Sequence, residues 1–168
     1  MPQSIVVMGV SGAGKSSVGQ ALATQLGARF IDGDTLHPEA NVQKMASGVP
    51  LTDEDRWPWL HLVGTQLSAG PGNATIVACS ALKRSYRDAI RTAAPATTFI
   101  LLQADRPALQ DRLTQRPGHF MPASLLTSQL ETLEELQDDE SGLMIESTGG
   151  IETTVARIRK LLEQAALV

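Results

Sequence analysis

One cysteine, Cys79, occurs in 168 residues, so no internal disulfide can form. A chain that uses cysteine so sparingly is expected in a reducing compartment. No stretch approaches the ~18 consecutive apolar residues that a membrane-spanning helix requires. The N-terminus lacks the basic start and long apolar core of a secretory signal; its one apolar run is the length of a strand. There is also no basic block. The 14 lysines and arginines are interspersed among 18 acids, for a net charge of −4. Nucleic acid is therefore not an expected partner, because binding it needs a concentrated phosphate-neutralising surface. A small anionic substrate is still allowed, since a few arginines can cluster locally. Internal repeats and low-complexity segments are absent as well. These absences predict a single cytoplasmic domain over residues 1–168, without a membrane partner. Its length is enough to bury roughly 70% of the unfolded surface.

What is present is organised around Gly9-Val10-Ser11-Gly12-Ala13-Gly14-Lys15-Ser16. It satisfies every fixed position of the phosphate-loop pattern G-x-x-x-x-G-K-[ST]. Its flanks match too. Ser4-Ile5-Val6-Val7-Met8 reads as a buried strand, and Val18, Ala21, Leu22 and Leu26 recur at helical spacing. The glycines let backbone N–H groups turn inward around phosphate oxygens. The following helix adds its free N–H groups and the positive end of its dipole. Lys15 supplies a point charge to the β- and γ-phosphates, and the Ser16 hydroxyl is a ligand for Mg²⁺. The candidate ATP contacts are Gly9, Ser11, Gly12, Ala13, Gly14, Lys15, Ser16 and Ser17.

Four further strands are predicted, at 28–31, 75–79, 97–102 and 142–146, with helices between them. The pattern is that of a doubly wound α/β domain with a parallel sheet, whose strands are uniformly apolar because both faces are covered. The second strand ends in Asp32-Gly33-Asp34. Carboxylates at the C-terminal end of a parallel strand lie where such folds place ligands. Asp32 is a candidate Mg²⁺ holder, and Asp34 a candidate to accept a proton from a substrate hydroxyl; a polar turn capping the next helix is the plainer alternative. Arg56 sits in the first turn of a helix, an unfavourable place for a cation, which mildly hints at a ligand contact, a surface ion pair being the commoner reason. Lys83 and Arg87, four apart, read as sharing a helix face. Arg112 and Arg116, again four apart, lead into the Pro/Gly-bounded segment 117–122. Arginines feeding a short lid, placed near 112–126, suit a reaction that builds charge on transferring phosphate oxygens. Residues 134–140 are strongly acidic and read as solvated, and Cys79 as a small buried hydrophobe.

Several of these stretches together resemble the gluconokinase family of P-loop small-molecule kinases. The phosphate loop is one. Asp32-Gly33-Asp34 running into Leu36-His37-Pro38 and Asn41 is another, followed by Lys44-Met45, Gly48, Pro50-Leu51, Asp53, Asp55-Arg56 and Pro58-Trp59-Leu60. Cys79-Ser80-Ala81-Leu82-Lys83, Tyr86-Arg87-Asp88, His119-Phe120, Leu125-Leu126 and Ser128-Gln129 complete it, covering roughly residues 4–134. Glu135 departs from the family, which often has proline there. The resemblance implies the strand order 2-3-1-4-5 of nucleoside monophosphate kinases. It also implies transfer of the ATP γ-phosphate to the 6-hydroxyl of D-gluconate, and a homodimer. It implies catalytic roles for Lys15, Asp34 and Arg116, with ATP contacts extending to Arg112 and Arg116. Acceptor contacts would come from Asp34, His37, Arg56, Lys83, Arg87 and His119, the basic residues facing the sugar-acid carboxylate. From the residues alone, a kinase for another hydroxy acid such as shikimate, or a nucleotide-binding switch, stays open. No guanine-selecting Asn-Lys-x-Asp stretch occurs.

Overall fold

The computed structural model describes residues 2–70, 72–116 and 123–166. Its centre is a five-stranded parallel sheet in the order β2-β3-β1-β4-β5. The strands are β1 (Ser4–Met8), β2 (Arg29–Asp32), β3 (Thr75–Ala78), β4 (Thr98–Gln103) and β5 (Gly142–Glu146). The helices are α1 (Lys15–Leu26), α2 (Glu39–Ala46), α3 (Asp53–Ser68), α4 (Arg84–Ala93), α5 (Arg106–Thr114), α6 (Ala123–Thr132) and α7 (Ile151–Ala165). Strand order and parallel pairing match the expectation, and element ends differ from it by one residue or so.

Successive β1 side chains serve opposite layers, which explains its unbroken apolar sequence. Ile5 and Val7 pack with Val18 and Leu22 of α1, Leu109 of α5, Leu126 of α6 and Ile158 of α7. Val6 and Met8 pack on the other face with Leu60 and Val63 of α3 and Ile90 of α4. All four strand residues have no exposed surface. The register then levels the functional ends. Val7 pairs with Ala78 and Ala78 with Asp32. The three segments that leave these strands therefore emerge side by side: the phosphate loop, Asp32-Gly33-Asp34, and Cys79 to Lys83.

Local signals set the helix limits. Thr52 caps α3 through its hydroxyl, which accepts from the Asp55 N–H, while the Asp55 carboxylate accepts from the Thr52 N–H at 2.9 Å. This reciprocal pair satisfies two amides that have no helical partner. Asp105 caps α5 by accepting from the Ala108 N–H, with proline in the first turn. Among the described residues no helix is long and apolar enough to cross a membrane.

α3 and α4 meet backbone to side chain at Gly64. A Cβ built there would lie 2.7 Å from the Ile90 carbonyl oxygen and 2.9 Å from the Ala93 Cβ. Alanine gains about 1 kcal/mol of helix propensity over glycine. Overpacking against backbone costs roughly 1–3 kcal/mol, so the steric cost wins. Gly64→Ala is expected to lower the thermal midpoint by a few degrees, read by calorimetry; an unchanged or higher midpoint would mean the two helices can part at no cost.

Candidate active site

The phosphate loop wraps between β1 and α1, and Gly14 ends it with φ +94°, a left-handed value that suits glycine. The first helical residue is Lys15, so the orphan N–H groups of α1 face into the loop. Lys15 Nζ donates to the Val10 carbonyl at 3.0 Å. Burial pulls its pKa below the ordinary lysine value, against the attraction of Asp34 and Asp32 and with the repulsion of Arg116. Arriving phosphate charge would favour the ammonium form again. Behind the loop the Cys79 thiol is buried, and burial pushes its pKa up to about 12. It is the small hydrophobe expected.

Asp32 ends β2, and Gly33–Leu36 turns at once into one 3₁₀ turn. The Asp32 Oδ1 caps that turn by accepting from the Asp34 N–H at 3.1 Å. The capping and the functional readings of Asp32 thus hold together, since a carboxylate has further acceptor capacity. Gly33 is forced by contact: a Cβ there would sit 2.5 Å from the Ala78 carbonyl oxygen. Its own carbonyl accepts from Trp59 Nε1 at 2.8 Å.

Trp59 also stacks on His37, with ring centroids 4.1 Å apart. Asn41 Nδ2 donates to the Asp55 carbonyl at 2.8 Å and lies 3.3 Å from His37 Nδ1. With the amide as donor, Nδ1 accepts and Nε2 carries the imidazole proton. Burial lowers the His37 pKa; Asp34 opposes that and Arg56 reinforces it. Burial thus weighs against the imidazolium form at this position. Beyond it lie Arg56, which donates to the Leu51 carbonyl at 2.7 Å, and Lys83. Lys83 caps α4 instead of sharing a face of it.

Arg87 is a correction. Its guanidinium is fully buried. It pairs bidentately with Glu140 at 2.7 and 2.8 Å, and donates to the carbonyls of Ala81, Leu82, Glu134 and Glu135. With those donors engaged inside the protein, it is not a substrate carboxylate partner. The same pair corrects the solvated reading of 134–140 at one position: the Glu140 side chain is wholly buried, while Glu134, Glu135, Gln137, Asp138 and Asp139 are exposed as expected. Arg84 and Asp88, four apart on α4, form a surface pair at 3.0 Å.

A cleft of about 270 Å³ opens beside the phosphate loop, lined by Gly12, Gly14, Arg112, Arg116, Ser147 and Thr154 among others. Arg112 donates to the Gly12 and Ala13 carbonyls and to both the hydroxyl and the carbonyl of Ser147. It clamps the phosphate loop to the segment after β5. His119 and the segment 117–122 lie outside the described residues. Two contacts were not foreseen as functional. The Ser11 N–H, on the phosphate loop, donates to Gln129 Oε1 of α6 at 2.8 Å. The Tyr86 hydroxyl donates to Asp53 at 2.6 Å. Both Gln129 and Tyr86 stand in stretches that carry the family resemblance, which was their only signal.

A glycine loop of this kind, set where a parallel sheet reverses its winding and facing carboxylates on the next strand, defines the P-loop kinases as a class. Residues 5–136 match a protein family described as an AAA domain. The gluconokinase of Gluconobacter oxydans is 53% identical over 143 residues, which is 83% of this chain and 79% of that one. The crystal structure of a gluconokinase from Sinorhizobium meliloti superimposes with a TM-score of 0.86 at 46% identity, covering 99% of this chain and 97% of that one. Shikimate kinase from Aquifex aeolicus, at 17% identity and a TM-score of 0.64 over 97% and 98% of the two chains, shares the fold. The chain belongs to the gluconokinase family.

The buried pair makes a pH prediction. Burial alone would raise the Glu140 pKa, but hydrogen bonds from Arg87 and Arg91 outweigh it and hold the carboxyl at about 2, against 4.5 when free. A group depressed in this way stabilises the fold fully above its unfolded pKa, and that stability is lost as pH falls toward the folded value. Stability is expected to decline between pH 4.5 and 2. Glu140→Gln should flatten that part of a denaturant-unfolding series and lower stability at pH 7. An acid limb identical to that of the native protein would remove Glu140 from the account.

Proposed function

We propose that the protein transfers the γ-phosphoryl group of ATP to the 6-hydroxyl of D-gluconate, giving 6-phosphogluconate and ADP. The observation that carries this is the side-by-side emergence of two charge systems from β1, β2 and β3. One is the phosphate loop with Lys15. The other is a row of acceptor groups formed by Asp34, His37, Arg56 and Lys83. The gluconokinase relatives support the choice of acceptor.

In the reaction the bond from gluconate O6 to the γ-phosphorus forms as the bond to the β,γ-bridging oxygen breaks, and the O6 proton passes to Asp34. Such a transfer needs positioning and charge stabilisation more than covalent chemistry. Lys15 and the loop amides hold the nucleotide phosphates. Arg116, beside the loop, neutralises charge on the transferring oxygens. His37 donates through Nε2 to a sugar hydroxyl. Arg56 and Lys83 hold the carboxylate end, so the far hydroxyl is the one presented to Asp34. The Ser16 hydroxyl and the Asp32 carboxylate are hard oxygen donors, the set that suits Mg²⁺. Among the described residues no cluster of three or more histidine, cysteine or acidic side chains could hold a metal. When bound, Mg²⁺ supplies neutralisation of the β- and γ-phosphate charge.

ADP release measured with gluconate, shikimate, AMP and water as acceptors tests the assignment; turnover with shikimate or AMP but not gluconate would refute it. Lys15→Ala is expected to reduce kcat by about 10³ with the fold intact. Asp34→Asn is expected to reduce kcat by about 10²–10⁴ with little change in the KM for ATP. Loss of ATP binding alone would instead make Asp34 a metal-side residue.

A further inference from the structure

We infer that Asp53 sets the charge of the acceptor subsite, and so selects a singly charged carboxylate over a doubly charged group at that end of the substrate. This rests on the reading of Arg56 and Lys83 as the carboxylate partners. Asp53 opens α3 and lies between the two cations, 3.9 Å from the Arg56 guanidinium and 3.6 Å from Lys83 Nζ. Its other contact is the Tyr86 hydroxyl, which donates at 2.6 Å. Both cations also sit over the Tyr86 ring, 5.5 and 5.4 Å from its centroid. Asp53, Tyr86, Arg56 and Lys83 are thus one cluster, fixed by five mutual contacts.

Two cations and one carboxylate leave a single net positive charge. A monocarboxylate matches it. A phosphate ester, with nearly two charges at neutral pH, leaves one unmatched charge close to Asp53. Repulsion between unit charges a few ångströms apart near a protein surface is worth a tenfold or larger discrimination. Asp53 is not needed to hold the cations in place by itself. Arg56 is also anchored by the Leu51 carbonyl, and the Lys83 ammonium by the face of the Tyr86 ring. Its ionised state is secured, since the Tyr86 hydrogen bond lowers its pKa and outweighs burial. The device would let the enzyme take a sugar acid while refusing sugar phosphates of similar size.

The test is competitive inhibition against D-gluconate, at saturating Mg-ATP and pH 8, by glycerate and by glycerol phosphate. These are polyol anions of similar size with one and nearly two charges. Saturating nucleotide keeps the phosphate loop filled, so the dianion cannot score there. Asp53→Asn is expected to shift the ratio of the two inhibition constants toward glycerol phosphate by about tenfold. Asp53→Glu, which keeps the charge, is expected to retain the native ratio. An unchanged ratio in Asp53→Asn, or a parallel weakening of both inhibitors, overturns the inference; parallel weakening is what lost positioning alone would give. Arg56→Ala and Lys83→Ala separate this from the underlying reading. If neither raises the KM for gluconate, the carboxylate assignment falls and the inference with it. If they raise it and the ratio in Asp53→Asn stays native, only the inference falls.

Discussion

A guanidinium with no exposed surface has to be met from inside the protein, and the fold around the site is built to meet that of Arg87. Its donors reach Glu140 and four carbonyls on two separate segments. One segment is the turn after β3, where Ala81 takes a positive φ of 44°. That conformation costs a non-glycine residue about 1–2 kcal/mol. The other is the chain after α6, which also returns the Glu134 carboxylate to the first amide of α4 at 2.9 Å. Removing Arg87 would release both at once and leave Glu140 as a buried charge with less compensation, a change that typically costs 3–5 kcal/mol. The strained turn carries Ser80, whose carbonyl accepts from the Gly9 N–H, and leads to Lys83. Arg87 thus holds the geometry of the phosphate loop's entry and of the segment that leads to Lys83.

Charge in the site is arranged by neighbours rather than by distance from solvent alone. Lys15 feels Asp34, His37 feels Asp34 and Arg56, and Asp53 feels Lys83 and Arg56. These charges are coupled through neighbours of opposite sign. Trp59 ties two of the segments together. It fixes the Gly33 carbonyl with its indole N–H and the His37 ring with its face.

The sheet, its order and the phosphate loop were legible because each has a local or family signature: apolar runs of strand length, a glycine pattern in the right context, a recognisable sequence of motifs. Arg87 was misread for a physical reason. Spacing of three or four residues says which side chains share a helix face, but not whether that face looks outward or into the protein. Glu140 was misread with it, since an acidic run looks solvated until one of its members has a buried partner more than 50 residues away. The Asp32 cap was legible as the plainer alternative, since an Asp-Gly-Asp run is turn chemistry. The bonds of Ser11 to Gln129 and of Arg112 to Ser147 span 118 and 35 residues, and no local pattern reports contacts of that range.

The buried thiol of Cys79 has a practical consequence. Alkylating reagents attack the thiolate, and a side chain with 1% exposure and a pKa near 12 offers almost none of it. Modification then waits for the end of β3 to open. As the only sulfhydryl in the chain, it is a clock for local unfolding directly beneath the phosphate loop, and its labelling rate reads how often that floor gives way without any probe having to be introduced.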